Sequence, residues 1–480
     1  MRTIAWLLLL GLAGSPALPQ QYDLVLQGGR VLDPETGLDG IRNLAISGSK
    51  IVRISAEPIP AKRTINVAGL VVAPGFIDLH QHGQDLESGR VKAFDGVTSA
   101  LEMEIGVPDV QEFLKRKQGH SLIHFGTSAS HPAARALAFG TAMPEGSIVP
   151  KAGMATDKPA TGELIRQMTD RLRKELAAGA LGIGMGIQYT PGATRLEVIQ
   201  VFRLAAEARV PVFTHVRSAG RLEPGSSIES VSEVIAAGAV TGASLHIVHI
   251  NSSCLEDAVE CLAMVAGARA RGIDVTTEAY PYTAGMTDIT SALFNPGWRE
   301  KFGIDYSALM LPDTGERLTR QRFEELHASP QPRFVVMFNN TQEMVDAVIP
   351  NPLVMVASDG LKGHPRNAGT YSRVLAQYVR ERGTLTLMDA IRKMSLMPAQ
   401  RLEKSTPAAR FKGRLQEGAD ADVVVFDLQT IFDRATYQSP MEPSTGVRYL
   451  FVGGALLIDQ GRLVPETFPG RPLLGTSAAP

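Results

Sequence analysis

Cysteine is almost absent: the 480 residues contain two, Cys254 and Cys261. On one helix, residues seven apart lie two turns apart, about 10 Å by the standard rise, too far for a disulfide. A disulfide framework is therefore excluded as a source of stability, whatever the compartment. Excess charge is absent too. Against 48 basic side chains stand 49 acidic ones, a formal net charge of -1. Neither nucleic acid nor an anionic membrane is indicated as a partner. Short-period repeats and low-complexity tracts are missing. A long apolar run occurs at the start, where Met1-Arg2-Thr3 precedes Ile4–Leu12 and a small-x-small ending at Ser15-Pro16-Ala17. That order predicts a secretory signal peptide over residues 1–17, too short to serve comfortably as a membrane anchor. The expectation is an exported protein, periplasmic or secreted, with the signal removed and no stable membrane insertion.

What is present falls into two styles. Tyr22–Leu32 and Asn43–Ile54 are short β-like segments, the first with a Gly28-Gly29 turn; Ala421–Asp427 and Val447–Ile458 repeat the style, with a turn at Gly453-Gly454. These read as antiparallel strands. The two chain ends, 18–70 and 410–480, are expected to form one small β-sandwich domain. Between them, over 71–409, apolar strands alternate with helical stretches. Strands are expected at 71–80, 97–104, 121–127, 180–186, 211–216, 244–250, 273–278 and 353–358. Eight such units predict an α/β fold, a (β/α)8 TIM-like barrel with its chemistry at the C-terminal strand ends. Two connections are long, 131–160 and 284–345. The second is expected to be a lid insertion.

The first barrel strand ends in His80-Gln81-His82. Alternation along a strand points both imidazoles the same way, half of a metal site. Three more predicted strands end in ligand types: His215 in Thr214-His215-Val216, His249 in Val248-His249-Ile250, and Asp359 in Ser358-Asp359-Gly360. His246 and His249 are three apart and so face opposite sides of a strand. His249, nearer the rim, is the expected ligand, and His246 is expected to face the helices. His120, His124, His131 and His327 have no such setting and are read as solvated or core residues. In the second strand, Glu102 and Glu104 share a face, while Leu101 and Met103 take the other. Two glutamates pointing into a barrel are hard to explain as solvated charges. Glu104 at the rim is the expected carboxylate ligand, with Glu102 one layer deeper.

Predicted strands one, five, six and eight delivering His-x-His, His, His and Asp resemble the amidohydrolase superfamily. Within it, Gly75–His82, Thr214–Arg217, Tyr280-Pro281-Tyr282-Thr283-Ala284, Ser358-Asp359-Gly360 and His364–Arg373 are similar to the N-acyl-D-amino-acid deacylase (D-aminoacylase) branch. The likeness runs over almost the whole chain after the signal. It implies Zn2+, one or two ions per chain, held by His80, His82, Glu104, His215, His249 and Asp359. Many such enzymes bridge two metals with a carboxylated lysine on strand four, but Gly179–Gln188 contains no lysine. The branch also typically carries a cysteine ligand at the end of strand two, where this chain offers Glu104. A hard carboxylate in place of a soft thiolate favours a second metal.

The resemblance assigns Asp359 the role of catalytic base, taking a proton from water and handing it to the leaving amine. It assigns Arg366 to the free carboxylate of the substrate, a task a planar guanidinium suits. Tyr280 and Tyr282 end strand seven and are candidates to contact substrate, one as a donor to a developing oxyanion. The implied activity is metal-dependent hydrolysis of a linear amide, deacylating N-acyl-(D-)amino acids, small molecules with a free carboxylate. A cyclic amidohydrolase of the hydantoinase or dihydroorotase kind, a dipeptidase, and a non-enzymatic barrel are the alternatives. The missing strand-four lysine and the His364-Pro365-Arg366 loop argue against the cyclic kind.

Overall fold

The computed structural model describes residues 21–476; the signal peptide expected at 1–17 lies outside them. Eight parallel strands form the centre: β1 (Phe76–Asp78), β2 (Val97–Val107), β3 (His124–Ser130), β4 (Ile183–Gly186), β5 (Val212–His215), β6 (Leu245–Ile247), β7 (Val275–Ala279) and β8 (Val354–Val356). Each pairs with the next from β1 to β8. The circle closes between β8 and β1 by tight contacts beyond the strands. Ser358 N donates to Asp78 Oδ1 at 3.0 Å, Gly360 N to His80 O at 3.2 Å and His82 N to Gly360 O at 2.9 Å. The chain is a (β/α)8 barrel. Aliphatic side chains such as Val212, Leu245, Ile247, Val354 and Val356 pack outward on the helices. Leu79, Leu101, Phe213, Val248 and Met355 fill a second core.

Both chain ends contribute to one nine-stranded mixed sheet. Tyr22–Asp33 pairs with Leu38–Ser47, and Val423–Phe426 with Val447–Val452. The sheet encloses Leu26, Val31, Ile46, Val72, Val425 and Phe451. The run from Val71 to His80, expected as one barrel strand, is divided. Val71–Pro74 belongs to the mixed sheet, antiparallel to Val423–Phe426, and only Phe76–Asp78 enters the barrel. Gly75 is the joint. Its N–H donates to Asp422 O at 2.9 Å, and a Cβ there would run into the Thr98 side chain.

The insertion after β7 has its own three-stranded sheet, in the order Gly285–Asp288, Phe334–Met337, Leu309–Met310. An aromatic cluster of Phe294, Trp298, Phe302 and Phe323 packs it down, together with Ile105 and Tyr189 from the barrel rim. Full burial of such side chains stabilises by roughly 1.5–3 kcal/mol each. The insertion is thus an ordered roof over the strand ends.

The cysteines do not share one helix. Cys254 ends the helix Ile250–Cys254, and Cys261 lies in Ala258–Ala270. The chain turns between them at Leu255, whose φ is +49°. Both thiols are free and buried, and burial, with Cys261 beside it, pushes the Cys254 thiol well up.

Candidate active site

Six side chains converge under the roof. His80, His82, Glu104 and Asp359 each offer one donor atom within 4.8 Å of the others, and Glu104, His215 and His249 form a second such group. Glu104 belongs to both. Its Oε2 lies 3.1 Å from His80 Nε2 and from His82 Nε2. Its Oε1 lies 2.7 Å from His215 Nδ1 and 2.9 Å from His249 Nε2. All six residues are buried. Imidazole nitrogens and carboxylate oxygens in this arrangement fit a pair of divalent metals sharing one carboxylate. The carboxylate that would be shared between them comes from β2, not from β4.

Strand ends alone do not deliver this set. β6 stops at Ile247, and His249 lies past it with φ +29°; Asp359 lies past β8 with φ +49°. Left-handed backbone at a residue other than glycine costs on the order of 1–3 kcal/mol, a strain that clusters at functional sites. Here the turn aims each side chain inward. It also breaks strand parity, which corrects the expectation for His246. That residue does not face the helices. It lies inside the barrel, with its ring 4.9 Å from Phe213 and its Nε2 donating to Glu278 Oε2 at 3.1 Å.

Glu278, on β7, is a residue that sequence reasoning missed. Its Oε1 accepts from His80 Nδ1 at 2.6 Å. The signal was available: a glutamate inside a buried parallel strand poses the same question as Glu102 and Glu104. Glu102 lies below the rim, as expected, but also reaches the site, because its Oε2 accepts from His82 Nδ1 at 2.6 Å. Gln188 accepts from His215 Nε2, and Ser253 Oγ lies 3.0 Å from His249 Nδ1.

The field is uneven. Burial opposes charge on His80, but Asp359, Glu104 and Glu278 outweigh it and push its pKa up to about 10. His215 goes the other way, lowered by burial and by the neighbouring His249. Burial works to raise the Asp359 carboxyl, and Arg366 and His80 more than offset this, so it stays ionised at neutral pH.

Arg366 is not a surface residue. It is fully buried, opens the helix Arg366–Arg373, and places Nη1 2.9 Å from Asp359 Oδ2. Its guanidinium stacks 4.6 Å above the Tyr280 ring. The pair with Asp359 lacks hydrogen-bond alignment, so Nε, Nη1 and Nη2 all remain without an acceptor. Tyr280 lines the cavity with an unpartnered hydroxyl, and burial pushes its pKa up to about 12, so it remains a donor. Tyr282 is not brought to the cavity. Its hydroxyl sits 3.5 Å from Pro365 O and its ring under Arg373, packing the His364-Pro365-Arg366 loop. Of the other histidines, His124 pairs with Asp422, His131 with Glu197, and His327 Nδ1 donates to Ile289 O; His120 is exposed.

Comparison with known proteins gives the family. N-acyl-D-glutamate deacylase of Alcaligenes xylosoxydans xylosoxydans is 31% identical over 95% of this chain and 97% of its own length. D-aminoacylase of the same organism is 29% identical over 91% of this chain and 94% of its own. The crystal structure of N-acyl-D-glutamate deacylase from Bordetella bronchiseptica, complexed with zinc and a phosphonate inhibitor, superposes with a TM-score of 0.79 at 25% identity. It covers 95% of this chain and 100% of that one. The amidohydrolase family model matches residues 127–458, and the chain belongs to the amidohydrolase family.

Proposed function

We propose that this protein is a zinc-dependent deacylase that hydrolyses the linear amide of N-acyl-D-amino acids. His80, His82, Glu104 and Asp359 would hold one ion, and Glu104, His215 and His249 a second. The observation that carries this reading is Glu104, whose two oxygens face the two histidine pairs. The names of the relatives support the substrate class and its D stereochemistry. The zinc of the Bordetella bronchiseptica structure supports the metal. When bound, zinc polarises the scissile carbonyl and lowers the pKa of water toward neutrality.

The chain's own residues supply the rest. Asp359, held ionised beside Arg366, takes the proton of the attacking water and delivers it to the leaving amine. Arg366 offers unpaired donors to the carboxylate of the substrate, a charge-assisted and planar contact. Tyr280 donates its hydroxyl toward the carbonyl oxygen as negative charge develops there. The roof buries the site residues, which strengthens each of these interactions.

A buried arginine with unpaired donors beside Asp359 supports a linear substrate with a free acid over a cyclic amide. A panel of N-acetyl-D- and L-amino acids, dipeptides and a hydantoin, assayed with zinc for released amine, tests the reading. Release from N-acetyl-D-amino acids is expected. Turnover of the hydantoin alone would refute it. Export is a further part of the proposal, supported by the composition of residues 1–17. Recovery of the protein from the periplasm, with N-terminal sequencing of the processed chain, checks it. Among the described residues no helix is long and apolar enough to cross a membrane.

A further inference from the structure

We propose that the substrate carries an aliphatic acyl chain longer than acetyl, and that this chain lies in the cavity between the helices Arg195–Ala208 and Ser227–Thr241. The inference rests on the proposed deacylase function and extends it to the acyl group.

The catalytic cavity is small, about 40 Å³. Sites for small molecules usually hold about 300–1,000 Å³. A neighbouring cavity of about 880 Å³ shares its wall, since Gln188, Leu293 and Phe302 line both. Direction assigns this second space to the acyl end. In the order of the barrel strands, β4 lies across the circle from β8. Arg366, proposed to hold the free carboxylate, pairs with Asp359 just past β8. Gln188 lies just past β4. A linear amide anchored by its carboxylate on the β8 side, with its carbonyl among the central histidines, therefore sends its acyl chain toward Gln188 and the larger cavity.

The lining suits a hydrocarbon. Ile228, Ser232, Ala236 and Val240 recur every fourth residue and form one stripe along Ser227–Thr241, about 18 Å long by the standard rise. That helix joins β5 to β6, so it starts at the rim beside the site and runs back down the barrel. Val198 lines the same space from the other helix, and Trp298 from the roof. Val240 is 69% exposed, and a chain seated along the stripe would cover it. Arg217 and Glu233, at the edge, satisfy each other: Nε and Nη2 donate to the carboxylate at 2.8 and 2.6 Å. Lys301 also lines the cavity, which makes an acidic acyl chain the rival occupant.

The test is kcat/KM, with zinc present, on the N-acetyl, N-butanoyl, N-octanoyl and N-succinyl derivatives of D-alanine, D-leucine and D-glutamate. One buried methylene gains about fourfold at most, so octanoyl is expected to exceed acetyl by roughly 100-fold or more on the best of the three. Ser232 and Ala236 are exposed, so tryptophan there fills the stripe without entering the core. Ser232→Trp and Ala236→Trp should each cut the octanoyl-to-acetyl ratio by about 10-fold or more, the loss of a few buried methylenes. Circular dichroism reports folding, and if one variant does not fold the other decides. A flat or falling series in the wild type, an unchanged ratio in both folded variants, or a succinyl derivative faster than the octanoyl one would overturn the proposal. No amine released at any chain length would sink the deacylase reading and this one with it. Release from the acetyl derivative with a flat series would sink this one alone.

Discussion

Arg366 and Asp359 are joined by a buried contact of 2.9 Å between Nη1 and Oδ2. The residue proposed to grip the substrate therefore also balances the residue proposed to move its proton. Breaking a buried charge pair by removing one partner costs about 3–5 kcal/mol, because the other charge is left uncompensated. Substitutions at either position are thus coupled through the other.

For Arg366→Ala two losses are expected. One is shared by all substrates, since Asp359 loses its counter-charge. The other applies only to substrates with a free carboxylate. A charge-assisted bidentate contact of about 2–3 kcal/mol implies roughly 30- to 150-fold in kcat/KM. Comparing an N-acetyl amino acid with its amide separates them. Equal losses on both would assign Arg366 to structure alone.

Asp359→Asn keeps the volume and removes the proton acceptor. We expect kcat to fall by about 100- to 10,000-fold, with a lower melting temperature because the buried Arg366 loses its counter-charge. Near-normal turnover would place the base elsewhere.

Glu104→Gln should be the most damaging change to metal content, since the wild-type oxygens reach all four imidazoles. Elemental analysis after gel filtration is expected to show almost no zinc. Two retained ions would show that another group bridges them.

The tyrosines should part company. Tyr280→Phe removes a free hydroxyl in the cavity, and we expect about a 100-fold drop in kcat with KM nearly constant. Tyr282→Phe removes a group 3.5 Å from Pro365 O and outside the cavity, so kcat should hardly move. Steady-state kinetics of the two variants decides. Equal effects would contradict the placement.

Acid should loosen the joint between barrel and sheet. Asp422 accepts from His124 Nε2 at 2.9 Å and from Lys412 Nζ at 2.6 Å. Burial works to raise its carboxyl, but His124 and Lys412 prevail and hold it well below the ordinary 3.8. A depressed carboxylate adds stability above its unfolded pKa and loses it as pH falls further. Asp422→Asn should therefore melt lower than wild type near pH 7, and the gap should close below about pH 4. Thermal melts at several pH values give the answer; a gap that persists in acid would mean packing, not charge.

Much of the centre was readable from pattern. His80-Gln81-His82 and Glu102-Met103-Glu104 announce themselves because side chains two apart on a strand share a face. Apolar segments separated by helical stretches likewise announce a parallel barrel. Glu278 obeys the same rule, but its partner, His80, lies 198 residues away. Nothing near Glu278 in the chain hints at that histidine.

By itself, the sequence determined the order of barrel strands, the pairing of the two chain ends in one sheet, and the residue types that reach the rim. These follow from local alternation and from apolar content, which act over a few residues. Only the tertiary structure decided what those residues face. His246 faces inward, opposite Leu245 and Ile247, and because β6 ends at Ile247 its parity does not carry on to His249; His249 and Asp359 reached the centre through left-handed backbone. Arg366 became a buried partner of Asp359, and Tyr282 went beneath a loop. Each outcome depends on contacts between distant segments, and such contacts form only once the barrel has closed and its core excludes water.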